Sequence, residues 1–450
     1  METKEELQQA QFQKMTTQPI AKLVGTLAIP TILSMMVNNF YNMVDTAFVG
    51  TLGTSASAAV GVVFGYMAIL QAIGFMFGQG SGSIMSRNLG SKDVETATLY
   101  SSTGFFLSFS LGIVIGVFSF FFLTPLIYLL GSTDTIAVYA KQYISYIIIA
   151  APFMTSSLTM NNLLRYEGKA KLGMVGLLTG AVLNICGDAL FIFRFHMGVH
   201  GAGLSTCITQ IISFFILLFM FVSGKTQTRI SIKCVSFHWK KILNIMTTGF
   251  PSLLRQALNS ISTMLLNSNA AVYGDAAVAA MSITSRVNFF VMSVAIGIGQ
   301  GFQPVSSFNY GAKKFDRVRK AYWFTFFLSE ILLVLAVIPV SIFAEPIVRI
   351  FRDDPAVTAY AVRALRLQCI AMVLVPLSMV TEMGFQSTGQ RFYASIASSL
   401  RSGILFIPVL LILANTRGMA GIQEAQPLAN TLTFVVCIFF SKIFLKRLKE

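Results

Sequence analysis

The chain has 450 residues, of which 55% are hydrophobic and only 11% are charged, and its formal net charge is +15. A soluble protein carries about 25% charged residues, so a soluble enzyme or carrier is excluded. Most of the positive charge sits in the termini and in short loops between long apolar runs, which argues against nucleic acid as its partner.

Most apolar runs reach 20 residues, the length that crosses a bilayer as a helix. In chain order, twelve spans are expected near 21–49, 57–80, 98–123, 136–160, 171–193, 201–223, 242–270, 277–300, 321–343, 358–384, 392–413 and 420–442. Alternate loops are basic. Lysines and arginines number 23 on one side and seven on the other, with Arg255, Arg286 and Arg401 inside spans. The basic side includes Lys4, Lys14, Lys22 and, at the far end, Lys442, Lys446, Arg447 and Lys449. By the positive-inside rule both termini are expected to be cytoplasmic. Met1–Pro19 is polar and lacks the ordered regions of a cleaved signal, so the first span should direct insertion and stay. Cys186, Cys207, Cys369 and Cys437 fall in apolar runs without disulfide or metal spacing.

The chain repeats itself. Residues 30–93 align without a gap on 251–314 at an offset of 221: Pro30 on Pro251, Asn38 on Asn259, Gly53 on Gly274, and Gly78-Gln79-Gly80 on Gly299-Gln300-Gly301. The register holds again at Gly168 and Gly389. Six spans per repeat return the chain to its starting side, so the halves share one orientation about a pseudo-two-fold axis along the membrane normal. The expected organisation is a segment 1–20, an N-lobe 21–223, a polar basic linker 224–241, a C-lobe 242–442 and a tail 443–450. The fold class is therefore an all-α polytopic membrane protein of two six-helix bundles. Transporters place substrate in the cleft between such repeats.

The repeat has lost symmetry in its charges. Asp45 faces Leu266, and Asp188 falls opposite Pro408. Ionisable groups within spans are costly and mark function. Asp45 and Asp188 lie near the outer ends of spans one and five, and Thr206 near the outer start of span six, so the three share a depth. Asn184 is one turn before Asp188 on the same helix face. Two carboxylates, an amide carbonyl and a hydroxyl are hard oxygen ligands for Na⁺. The same carboxylates, raised in pKa by burial and mutual repulsion, are equally suited to carry protons. Capping of neighbouring helices is the structural alternative. Pro30, fifteen residues before Asp45, removes a backbone hydrogen bond and offers a hinge, although Pro251 repeats it where no acid follows.

Pro30 through Asp45-Thr-Ala-Phe-Val-Gly50, Leu164-Arg165-Tyr166-Glu167-Gly168-Lys169, Asn184-Ile-Cys-Gly-Asp188 and Gly201-Ala-Gly-Leu-Ser-Thr206 together resemble the MATE (multidrug and toxic compound extrusion) family over nearly the whole chain. The resemblance implies export of organic cations and drugs in exchange for Na⁺ or H⁺. It also implies a cation site of Asp45, Asn184, Asp188 and Thr206. One family branch has acids in spans seven and ten instead. Here the span-seven position is Asn259, and Glu382 in span ten does not align, so a C-lobe site of that kind is not expected.

Asn38, Tyr41, Arg255, Gln256, Asn259 and Glu382 are the candidates for lining the cleft. The intramembrane arginines read first as partners of Glu330 and Glu382, and second as a basic wall for anionic or zwitterionic cargo. His196 and His200 have metal-like spacing but no third ligand, so no metal is expected beyond Na⁺. Gly78-Gln-Gly-Ser-Gly82 imitates a phosphate loop, but it is read as ending a membrane helix and serving close helix packing. The 21 Met and 40 Phe read mainly as core and lipid-facing residues. No nucleotide-binding motif or nucleophile–base pair is present, so the chain is read as a non-enzymatic plasma-membrane antiporter. It should need no cofactor, be driven by an ion gradient and work as a monomer with small organic cations and membrane lipids as partners. A flippase for lipid-linked or peptide precursors is the runner-up.

Overall fold

The computed structural model describes residues 4–448; Lys449, one of the basic residues of the far end, lies outside them. The described residues form helices and no strand. Helix α1 (Lys4–Thr17) precedes α2 (Ile20–Gly50), α3 (Thr54–Gly90), α4 (Val94–Phe121), the short α5 (Leu123–Leu129), α6 (Asp134–Tyr166), α7 (Ala170–Asp188) and α8 (Gly198–Val222). The second repeat comprises α9 (Trp239–Ala271), α10 (Asp275–Gly311), α11 (Phe315–Ile342), the short α12 (Ala344–Phe351), α13 (Pro355–Met372), α14 (Val375–Thr388), α15 (Arg391–Ser399), α16 (Phe406–Arg417) and α17 (Met419–Arg447). Ten helical stretches are long and apolar enough to cross a membrane. The pair α13 and α14, bent by 54° at its break, makes an eleventh. The twelfth is α9, which has the length but not the apolarity, because Lys240, Lys241, Arg255, Gln256, Asn259, Asn267 and Asn269 interrupt it. Its repeat counterpart α2 passes on both counts.

The duplication is written into the backbone. Gly53 and Gly274 precede α3 and α10 with φ of 122° and 93°, and Gly168 and Gly389 take φ of 82° and 83°. Lys92 and Lys313, again 221 apart, adopt φ of 65° and 58°, a region that non-glycine residues seldom enter. Near the ends of the spans that follow, Gly198 and Gly418 share φ of about 60°, now 220 apart, so one residue has been lost in between.

By contacts the chain divides into two compact units. Unit 1 holds residues 1–17 and 33–253, and unit 2 holds 18–32 and 254–450. Each unit therefore takes the first half of one repeat's leading helix and the second half of the other's. The divisions in α2 and α9 fall two residues after Pro30 and Pro251.

The glycine motif does not end a helix, as the sequence suggested. It lies inside α3, which continues to Gly90, because the apolar run is followed by small and polar residues that are buried rather than solvated. Gly74, Gly78 and Gly82 press on Leu158, Asn162 and Tyr166 of α6, both sets spaced by one turn. This is the close packing that small residues permit. Gly80, on the other face, abuts the Ile245 carbonyl and Gly249 of α9. In unit 2 the equivalent Gly301 meets Ala28 of α2, where a Cβ would sit 2.7 Å from the backbone nitrogen. Ala28 is the repeat counterpart of Gly249, so one helix crossing is built twice. Gly80→Ala would drive a methyl into backbone that cannot rotate away. We expect a loss of about 1–3 kcal/mol, read as earlier thermal unfolding in detergent.

The basic segment 224–238 is folded onto unit 1. Thr228 Oγ1 donates to Glu167 Oε2 at 3.0 Å, and the Gln227 N–H donates to the other carboxylate oxygen. Gln11 of α1 donates to the Glu167 carbonyl at 2.9 Å, and Ser102 to the Arg229 carbonyl at 2.8 Å. Burial holds the Glu167 carboxyl above the usual range, against the opposing pull of Lys169 and these donors.

Candidate functional site: a buried acid pair in unit 1

Asp45 stands five residues before the end of α2, and Asp188 is the last α-helical residue of α7. Beyond Asp188 the chain slips into a π-turn, Ala189–Arg194, in which the Phe195 N–H donates to the Leu190 carbonyl at 3.0 Å. Such single π-turns recur at functional positions. Asp45 is 3% exposed and Asp188 fully buried. Their carboxyl groups face each other, with Tyr143 of α6 beside Asp45 and Ser205 of α8 beside Asp188.

Asn184, one turn before Asp188, donates from Nδ2 to Ser205 Oγ and Thr206 Oγ1, both at 3.3 Å. Ser205 Oγ donates back to the Asn184 carbonyl at 3.2 Å. Tyr143 Oη and Thr206 Oγ1 are 3.4 Å apart. These bonds fix the amide with its oxygen free. Among the described residues, Asp45 Oδ1, Asn184 Oδ1 and both Asp188 carboxylate oxygens make no aligned hydrogen bond. Four buried oxygens without an aligned donor, two of them on one carboxylate, are costly unless a proton or cation joins them. All are hard donors, the type that small hard cations take.

The structure thus brings Asp45, Asn184, Asp188 and Thr206 into one pocket of unit 1. It adds Tyr143 and Ser205, which sequence reasoning did not select. Ser205 was adjacent to a chosen residue. Tyr143 carried a fainter signal, as a phenol in a mostly aliphatic stretch, 143–151. Tyr41, one turn before Asp45, is buried in the electrostatic reach of both acids, and Asn38 is half-buried a turn earlier. In unit 2, Arg255 Nη1 donates to Glu382 Oε1 at 2.5 Å. Gln256 beside it is half-buried, and Asn259 is exposed. Of the other candidates for such a pair, Arg286 is exposed on α10, and Glu330 makes no ion pair among the described residues. His196 sits in a positive-φ turn, while His200 packs edge-on to Tyr146 with ring centroids 6.0 Å apart. No group of three or more metal-ligating His, Cys, Asp or Glu side chains occurs among the described residues.

The MatE family model matches residues 30–190 and 251–412, the two repeats in turn. The chain belongs to the MATE family. This MATE protein is 26% identical over 424 residues to the multidrug export protein MepA of Staphylococcus saprophyticus, covering 94% of the chain and 93% of that relative. Among solved structures it resembles a MATE protein in complex with MaL6, at a TM-score of 0.92 and 25% identity, covering 97% and 99% of the two chains. It is similar also to the outward-facing conformation of a multidrug resistance MATE transporter, at a TM-score of 0.91 and 25% identity over 97% and 98%. The twelve-helix, membrane-embedded architecture is thus the family's.

Proposed function

We propose that this MATE protein is a secondary antiporter that exports organic cations or drugs across the plasma membrane in exchange for H⁺ or Na⁺. The observation that carries the reading is the buried pair Asp45–Asp188, whose oxygens, with the amide oxygen of Asn184 that Thr206 helps to fix, await a positive charge. The MepA relative's description as a multidrug export protein supports the cargo class.

In this reading the spans of 21–223 and 242–442 are two lobes around a central cleft, with both termini cytoplasmic. A cation or proton entering from outside neutralises the acids. An ion can shift the inward–outward equilibrium only through its differential affinity for the two states. The acid pair supplies that difference if neutralisation favours the arrangement that releases cargo. Cargo binding then returns the bias. Tyr143 and Ser205 act as positioning residues that hold the Asn184–Thr206 wall. No cofactor and no bond-making step are involved.

The deciding experiment is efflux of a fluorescent organic cation from proteoliposomes under separately imposed pH and Na⁺ gradients. Transport under one gradient, lost in Asp188→Asn, supports the antiporter and identifies its ion. No movement of the cation under either gradient overturns it.

Pro30 is the proposed hinge of α2. Pro30→Ala restores a backbone donor and stiffens the helix. We expect a several-fold lower coupled efflux rate in this variant, within the roughly 5–150-fold range of typical coupling energies. Wild-type rates would exclude the hinge.

A further inference from the structure

Unit 2 contains a small cavity of about 30 Å³ that the cation site does not involve. Its walls are Arg255 of α9, Ser378 and Glu382 of α14, and Arg401 and Ser402 of the π-turn Leu400–Ile404. In that turn the Leu405 N–H reaches back to the Leu400 carbonyl at 3.1 Å, the same slip that follows Asp188. Arg255 is satisfied by Glu382 at 2.5 Å. Arg401 stands in the electrostatic reach of both. Among the described residues it makes no ion pair or hydrogen bond, and the Ser402 hydroxyl makes none either. Ser378 and Ser398 donate to carbonyls of their own helices, Val375 and Ser395.

The balance of charge is two half-buried guanidinium groups against one buried carboxylate, inside a membrane bundle. A net charge held there is expensive unless a counter-ion joins it. The repeat sharpens the point. At an offset of 221 the three positions correspond to Ser34, Asn161 and Gly180, none of them charged. The second repeat thus carries its own charged set where the first has none, the inverse of the acid pair. The cavity, about 30 Å³, exceeds the roughly 10–15 Å³ that holds one water, which leaves room for one compact ion.

We propose that this cavity binds one compact monoanion between Arg401 and Arg255: either a free halide or the carboxylate group of a cargo molecule. The free-halide arm does not depend on the antiporter reading, because binding needs no gradient. Fixed donors in a fork suit a carboxylate or halide, while Glu382 repels a second negative charge.

The test uses the full-length protein in detergent, with chloride exchanged for methanesulfonate, which carries no carboxylate, at constant ionic strength. Thermal unfolding is followed for wild type, Arg401→Gln and Arg401→Lys. Saturable stabilisation by chloride, with the half-saturating concentration raised at least about tenfold in Arg401→Gln and partly restored in Arg401→Lys, supports a free-anion site. If chloride has no effect, the second arm compares proteoliposome transport of a carboxylated fluorescent cation with that of its methyl ester. A carboxylate-over-ester preference that falls at least about tenfold in Arg401→Gln assigns the site to cargo. Arg401→Lys is the fallback where the glutamine variant does not fold, and must itself show a weakened response. Identical chloride response in wild type and variants, or no response in either arm, overturns the proposal.

Discussion

Asp188→Asn is expected to abolish gradient-driven efflux while leaving the protein as stable as wild type or more so. The two effects have one cause. Asp188 is fully buried, faces Asp45 and has neither carboxylate oxygen in an aligned hydrogen bond. An amide of the same shape removes a buried charge and its repulsion, so folding gains. The amide no longer takes up a proton or contributes a charged ligand, so the site no longer distinguishes loaded from empty. With a typical coupling energy of about 1–3 kcal/mol lost, transport under the driving gradient should fall by up to about 100-fold, to background. Unfolding in detergent and efflux in proteoliposomes are measured on one preparation. Retained coupled efflux would remove the acid pair from the mechanism, and a large loss of stability would recast it as structural.

Glu382→Ala should behave in the opposite way, as a stability lesion first. Its carboxylate is the partner of Arg255 and the nearest negative charge to Arg401. Removing it leaves two arginines facing each other in the interior of unit 2. Deleting one member of a buried ion pair typically costs about 3–5 kcal/mol, because the remaining charge is stranded. The paired variant Arg255→Ala with Glu382→Ala should recover part of that loss, since the stranded charge goes too. Denaturant unfolding of the three variants gives the cycle. Additive losses would show that the two side chains do not interact as placed.

Much of this was legible in the sequence for identifiable reasons. The repeat at 221 could be read because glycines and prolines hold positions that few other residues can fill, and Gly53, Gly168, Gly274 and Gly389 all take positive φ. Asp45 and Asp188 could be chosen because carboxylates in spans are rare enough to stand out, while Asn184 and Thr206 were chosen for their depth and face beside them and for the family resemblance. The end of α3 was misplaced because hydropathy falls at Gly78, whereas the helix is held by α6 and α9 rather than by lipid. The weak apolarity of α9 has the same origin. Tyr143 was only faintly legible and the π-turn after Asp188 was out of reach, since both depend on which helix lies alongside. That Arg255, of the three intramembrane arginines, is the one that pairs with Glu382 is likewise decided by neighbours 127 positions apart.

The exchange of half-helices between units has a consequence for biogenesis. Unit 1 is not complete until residue 253 has left the ribosome, because 239–253 supplies the strip that Gly80 receives. Unit 2 in turn needs 18–32, made at the very start. The first repeat released alone would show the translocon and quality-control machinery a bare glycine-lined stripe and a dangling leading segment. Premature termination anywhere before the second repeat's opening helix should therefore yield a chain destined for proteolysis, not half a transporter.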